Sequence, residues 1–432
     1  MDTTTADNLL KDHYTDGVIE LLPAKVRVLR MFEDDTANAA WSGRAVVKSV
    51  HVGRNEGSGW AGENAALPSA GEQQYTTKRI PMRYQYGRIK LTAQVMEQGQ
   101  GNKAAFIAPL ESETKGLIKD MAVERGRAIF GDGRGILALQ NGAESGVTLT
   151  VDAPGGWAGA VNGNRFLRPN TVFAILNPAT GALRSSAVHR VATQPTAGTT
   201  ITGTTAIASA AADNDYVVRA ADIAITDAAD TSYQREFMGL GGHIDDGTNV
   251  ITYHNVNRTT YPLYTSAVIA NAQAWSSDLI QRAIDLADIR GDGVISELIM
   301  EHASRRAYIA ATEDQRHYMG ADLTNPDGGT KAAKMGSLTF GTIPLFEDRM
   351  CPYGTIFGID RAGAGFKRYA MKPGEWIESS SGQILHIIGT GTTLRHTYEG
   401  VFTIWDNFDC ELPNTCFRID GLTVNVAIAQ VF

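Results

Sequence analysis

Nine histidines, three cysteines, several glycine-rich turns and one acidic triplet are the places in this sequence where chemistry could reside. His302 and His317 are too far apart to form a metal pair on one helix face, and no HExxH motif is present. Cys351, Cys410 and Cys416 are an odd number at no metal-ligand spacing, which indicates neither a disulfide framework nor a zinc site. No G-x-S-x-G elbow occurs, and no cysteine lies in a nucleophile signature. Gly239-Leu240-Gly241-Gly242 and Gly389-Thr390-Gly391 do not complete a dinucleotide fingerprint with its strand, helix and downstream acid. Asp245-Asp246-Gly247 lacks the alternating oxygen ligands and closing Glu of a calcium loop, so it reads as a tight turn. Arg290-Gly291-Asp292-Gly293 sits where a helix should end, and turn chemistry accounts for it. The sequence therefore names no catalytic, cofactor-binding or metal-ligating residue, and the chain is not expected to be an enzyme.

One charged constellation stands out. Lys78, Arg79, Arg83, Arg88 and Lys90 follow one another with no acid between Glu72 and Glu97, and Tyr84 and Tyr86 lie among them. These seven residues are expected to form a subunit interface that meets acidic surface on a neighbour. A solvated strand face is the plainer alternative. Nucleic-acid binding is a weaker one, because further aromatics are missing and the chain carries a net charge of -8.

The element that would position this strip is a very long β-hairpin. One limb, 44 to 52, alternates small or polar residues with Val46, Val50 and Val52; the returning limb, 78 to 95, alternates Ile80, Met82, Tyr84, Tyr86, then Ile89, Leu91, Ala93 and Val95. Period two over so many residues is a strand signal. Between the limbs, Gly53 to Tyr75 contains five glycines and almost no large apolar residue. An arm with so little apolar surface at its tip has no core of its own and is completed by another subunit.

The length of 432 residues allows two or three domains with a sizeable core. Hydrophobic residues make up 43% and charged residues only 20%, and the 45 glycines suit many strands and turns. The first residues are polar and acidic, without a signal peptide, and no apolar run is long enough to cross a bilayer. Reduced thiols in a cytosolic setting fit the cysteine pattern best.

Along the chain, residues 1–40 read as an extended arm with a short helical piece near Val18 to Leu22, and 41–98 as the hairpin. Pro109 is expected to open a helix whose apolar stripe is Leu110, Leu117, Ile118, Met121, Ala128 and Ile129. Residues 99–144 hold this helix, which Gly131-Asp132-Gly133 is expected to end. Short β-runs separated by turn clusters make 145–225 an inserted β-barrel or sandwich. Beyond it, a Ser276- or Ser277-capped helix, a β-run at 294–300, another helix at 303–312 and a return to strands give an α+β fold.

Taken in order, these parts resemble a tailed-bacteriophage major capsid protein of the Hong Kong 97 fold. The resemblance rests on the arm, the hairpin and the helix running into Phe130-Gly131-Asp132-Gly133-Arg134-Gly135-Ile136-Leu137. It rests also on Glu236-Phe237-Met238-Gly239-Leu240, Asn257-Arg258-Thr259 and Tyr261-Pro262. Phe340-Gly341-Thr342-Ile343-Pro344-Leu345, Asp348, Pro352-Tyr353-Gly354 and Gly358-Ile359-Asp360 complete it. Their order spans most of the chain apart from 145–225.

The resemblance implies an E-loop at 41–98, a spine helix, a mainly axial domain at 226–375 and a return to the peripheral domain at 376–432. It implies hexamers and pentamers of this chain closing into an icosahedral virion capsid around double-stranded DNA, bound without sequence specificity. Assembly in the host bacterial cytoplasm and expansion of a procapsid during packaging follow from it. The implied partners are a separate scaffolding protein, a portal and a decoration protein, with no membrane and no cofactor. No long charged leader precedes the arm, and the start at Met1 favours the separate scaffold. Some relatives weld their shells through a Lys–Asn bond; Lys78 and Lys90 lie in the hairpin, but no acceptor or catalytic acid matches. An encapsulin-type nanocompartment and a β-rich phage surface or glycan-binding protein are the alternatives.

Overall fold

The computed structural model describes residues 28, 32–34, 44–94, 103–142, 146–157, 162–184, 188–192, 198–205, 212–270, 274–311, 339–378, 382–387 and 397–424. The expected helical piece at Val18 to Leu22, most of the arm and His317 lie outside these residues. Among the described residues, strands far outnumber helices and the two are mixed. The chain divides into two compact units, one from Met1–Arg44, Met82–Ile129 and Lys367–Phe408, the other from Ala45–Pro81, Phe130–Phe366 and Asp409–Phe432.

The first unit is a sheet covered by a helix. Strand Thr397–Cys410 pairs antiparallel with Arg83–Thr92, from Thr397 opposite Thr92 to Asp406 opposite Arg83. Phe366–Trp376, Leu385–Ile387 and Glu33–Asp34 complete the sheet. Along Arg83–Thr92 the alternation is clean: Gly87, Ile89 and Leu91 are buried, and Tyr84, Tyr86, Arg88 and Lys90 are exposed. Helix Lys103–Ala128 lays Leu117, Ile118 and Met121 against Ile89, Leu91, Trp376, Phe402 and Ile404. Each such side chain contributes about 1.5–3 kcal/mol when fully buried. The helix starts six residues before Pro109, not at it, because Lys103-Ala104-Ala105 are strong helix formers that carry it across the proline. Its last turn is tied to the sheet by Arg125, whose Nη2 donates to Asp406 Oδ2 at 2.5 Å. Arg368 Nε donates to the same oxygen at 2.8 Å. Burial would raise the Asp406 carboxyl, but the two guanidinium groups hold it below the usual carboxylate range.

The second unit begins with the hairpin, Ala45–Gly53 against Gln74–Pro81, with Ala45 opposite Pro81 and Lys48 opposite Lys78. The expected returning limb is thus two strands, and only its first part belongs to the hairpin. Pro81, which has no amide hydrogen, ends that ladder, and Arg83–Thr92 pairs in the other unit's sheet instead. Every residue from Ser58 to Tyr75 is exposed, including Trp60 and Leu67.

Residues 136–219 form an antiparallel sheet ordered His189–Arg190, Val172–Leu176, Tyr216–Arg219, Ile136–Gln140, Thr148–Asp152, Thr200–Thr202. Its two edge strands meet through a bridge between Val191 and Gly203, which closes the sheet around Leu137, Leu149, Val151, Phe173, Ile175 and Val217. Ile136–Gln140 is a central strand of this module, so the module reaches back before residue 145.

A mixed sheet follows, ordered Ala267–Ile269, Phe417–Ile419, Ile356–Ile359, Glu297–Met300, Ile343–Glu347, Thr339–Phe340. Helix Ser277–Gly291 packs Ile280, Ala283 and Ala287 into the same core as Leu298, Ile356 and Phe417. Ser276 Oγ caps it by accepting from the Leu279 amide at 3.1 Å. Asp292, with φ 52°, closes its other end.

Gly135 has φ +75°, and a β-carbon there would run into the backbone carbonyl of Ser232. Gly135→Ala is therefore expected to lower unfolding stability by about 1–3 kcal/mol in denaturant titration, since neither the torsion nor the space suits an L side chain.

Candidate assembly interface

The hairpin is fixed at its root by a buried charge. Lys78 faces inward in phase with Ile80, and its ammonium forms an ion pair with Asp409; the two side chains are 1% and 0% exposed. The same nitrogen donates to Tyr264 Oη at 2.6 Å and to the Cys410 carbonyl at 2.7 Å. It also sits 4.7 Å from the centre of the Tyr253 ring and 5.2 Å from that of Tyr264. All three ammonium donors thus have partners.

The residues around this pair come from short, tightly determined elements. Tyr253 ends strand Thr252–Tyr253, which turns into Val256–Asn257 through His254 and Asn255 at φ 46° and 73°. Two consecutive left-handed residues make the two-residue turn that matches strand twist. Tyr264 lies in the turn Pro262–Tyr264, and His243 ends the short helix Leu240–His243. Tyr253 Oη accepts the Cys410 amide at 3.0 Å and lies 3.1 Å from Asp409 Oδ1 and 2.6 Å from His243 Nδ1. Val50 from the hairpin packs on Val250, Tyr253, Val256 and Tyr264. The Arg79 amide donates to the His254 carbonyl at 2.8 Å, and Lys48 reaches Glu411 at 2.6 Å.

Arg258 holds the platform together from below. It donates to the carbonyls of Gly242, His243, Val250 and Tyr264, and its guanidinium lies 4.6 Å from the Tyr253 ring centre. Asp245 accepts from Arg418 at 3.1 Å and from the amides of Gly247, Asn249 and Val250. The acidic triplet is accordingly a turn.

Electrostatics follow from burial. Loss of water pushes the Lys78 ammonium down, against the pull of Asp409. Burial alone would raise the Asp409 carboxyl, but Lys78 and then His254 hold it below its ordinary value. Burial pushes the Tyr253 and Tyr264 phenols up, so both stay protonated and available as donors. All three cysteines are buried, and burial raises the Cys351 and Cys410 thiols far above the ordinary range.

The seven strip residues are therefore not one surface. Lys78 is an interior residue, because its strand face is the one that also carries Ile80 into the core. Arg79 is exposed on the opposite face of the same limb. Arg83 is half-buried, while Tyr84, Tyr86, Arg88 and Lys90 share the open face of Arg83–Thr92, the tyrosines 49% and 54% exposed. Tyr84 meets Trp405 edge-on at 5.1 Å, and Arg88 pairs with Glu399. Asp409, Tyr253, Tyr264 and His243 did not emerge from sequence reasoning. The one available signal was a lysine in phase with buried Ile80, which demands a hidden acid.

No protein-family model matches the chain, and no curated protein matches it. Among solved structures it is similar to the capsid asymmetric unit of cyanophage A-1(L), at 8% identity, 89% of each chain and a TM-score of 0.47. It is similar also to a structure from Gordonia phage Cozz, at 10% identity over 92% of this chain and 86% of that one, with a TM-score of 0.42. The capsid of a native GTA particle matches at 10% identity, 89% and 86% coverage and a TM-score of 0.40.

Lys78→Met leaves the Asp409 carboxyl buried without its ion-pair partner and is expected to cost about 3–5 kcal/mol of unfolding stability. Arg88→Ala, at an exposed pair, is expected to cost less than about 1 kcal/mol in the same denaturant titration.

Proposed function

We propose that this chain is a shell-forming capsid subunit of a tailed phage, assembling with copies of itself as hexamers and pentamers around double-stranded DNA. The observation that carries this reading is the hairpin: its root is pinned into its own unit by a buried ion pair, while its tip has no core. Trp60 and Leu67 stand in water at that tip, a cost that vanishes when a neighbouring copy covers them. An ordinary loop does not invest a buried lysine and an acid in holding exposed apolar side chains outward.

Several further features support the same reading. The order of sequence motifs follows the Hong Kong 97 fold, with 41–98 as E-loop and 103–128 as spine helix. The net charge of -8 suits a container whose contents must slide rather than adhere. Arg79 on the hairpin and the open face of Tyr84, Tyr86, Arg88 and Lys90 are the surfaces assigned to subunit contacts. The module at 136–219 is assigned contacts with a neighbouring capsomer or an external protein. Assembly assisted by a separate scaffolding protein, followed by expansion of the first-formed shell, completes the scheme.

Negative-stain electron microscopy of the chain, expressed with and without its neighbouring genes, tests the proposal. Closed shells or hexameric and pentameric rings are expected, and nucleic acid inside them distinguishes a virus shell from a protein-filled compartment. Replacing residues 58–71 by a short turn should abolish assembly while leaving the thermal midpoint of the isolated chain unchanged. Discrete monomers under all conditions would overturn the reading.

A further inference from the structure

The tip of the hairpin has no core, yet its two arms are held together beyond their last paired residues. The ladder ends at Gly53 opposite Gln74. Two residues further on, the Asn55 side chain crosses between the arms. Its Nδ2 donates to the Gly71 carbonyl at 2.7 Å, and its Oδ1 accepts the Gly57 amide at 2.6 Å. One carboxamide thus bends its own arm into an Asx turn and ties that arm to the opposite one. Gly57 and Gly71 leave the room this needs. A β-carbon on Gly57 would stand 2.8 Å from the Gly71 nitrogen and 3.0 Å from the Ser69 carbonyl oxygen, and one on Gly71 would collide with Asn55 Oδ1. Beyond this neck, a β-carbon on Gly59 would touch the Pro68 ring at 3.1 Å, and the Ala65 amide closes a turn on the Gly62 carbonyl at 3.1 Å. Residues 58–70 are therefore a closed loop whose ends meet, not an open strap. Trp60 and Leu67 project from it into solvent.

We propose that Asn55 is a positioning residue for assembly: by closing the neck it presents Trp60 and Leu67 as a preformed anchor for a second copy of this chain. The inference rests on the shell reading and adds to it the device that sets the shape of the tip. A loop without a core is ordered only by local ties of this kind. Ordering deferred to the moment of contact is subtracted from the free energy of that contact. Neither bond of Asn55 lies in an apolar core, so losing both changes association and leaves folding as it was.

The test uses the full chain and three readouts. Amide hydrogen exchange at Gly57 in the unassembled chain, corrected for intrinsic rates, reports the neck. Light scattering with negative-stain microscopy gives the concentration at which rings or shells appear, and the thermal midpoint reports folding. In Asn55→Ala, Gly57 should lose its protection and the assembly concentration should rise about fivefold, the worth of one net intramolecular hydrogen bond. The thermal midpoint should not move. Gly71→Ala keeps the Asn55 side chain but drives it out of the neck, and should raise the assembly concentration to a similar extent. Native shells together with an Asn55→Ala chain that assembles at the native concentration would overturn the proposal and spare the shell reading. A defect in Asn55→Ala that Gly71→Ala does not share would also overturn it, because Asn55 would then act by touching the neighbour directly. A native chain that stays monomeric under all conditions would remove the shell reading and this proposal with it.

Discussion

An ammonium enclosed by protein must find a carboxylate, and much of the second unit is arranged around that requirement. Lys78 lies near the start of the chain and Asp409 near its end, so satisfying the one brings hairpin and C-terminal segment together. The aromatic rings of Tyr253 and Tyr264 cover the pair, and Arg258 gathers the carbonyls of the loops that carry those rings. Beyond the charge pair, Val50, the Arg79 amide and the half-exposed Lys48–Glu411 contact attach the hairpin.

The same device recurs. Asp406 serves Arg125 and Arg368 within the first unit, joining a helix end to two strands. Asp245 serves Arg418 and a turn of its own, joining a loop to a core strand. Buried pairs of this kind add little net stability over well-packed apolar residues, but mispairing them is expensive. Their effect here is to dictate which distant segments may lie side by side, while the apolar clusters that contain Phe402, Ile280 and Phe173 bury the hydrophobic side chains.

Where one face of a strand or helix meets a core, the amino-acid order was enough to see it. The alternation from Tyr84 to Leu91, the stripe through Leu117, Ile118 and Met121, and the Ser276 cap are local patterns, and they translate directly into structure. Lys78 was misplaced because a run of cations suggests solvent, although its phase with Ile80 pointed inward. Asp409, Tyr253 and His243 converge only through tertiary folding, and no local spacing announces them. The break at Pro81 was readable as a proline, but the destination of the next strand was not. Ile136–Gln140 shows why the module boundary was missed: strands adjacent in a sheet need not be adjacent in the chain.

The burial of Cys351, Cys410 and Cys416 leaves the folded chain without a solvent-accessible thiol, and attack on an electrophile requires exposure. The exposed tip offers small polar positions such as Ser58 and Ser69. A single cysteine placed at either becomes the sole maleimide-reactive position of the native fold. Fluorophores, spin labels or conjugated cargo can then be attached to the hairpin stoichiometrically, with the three native cysteines left in place.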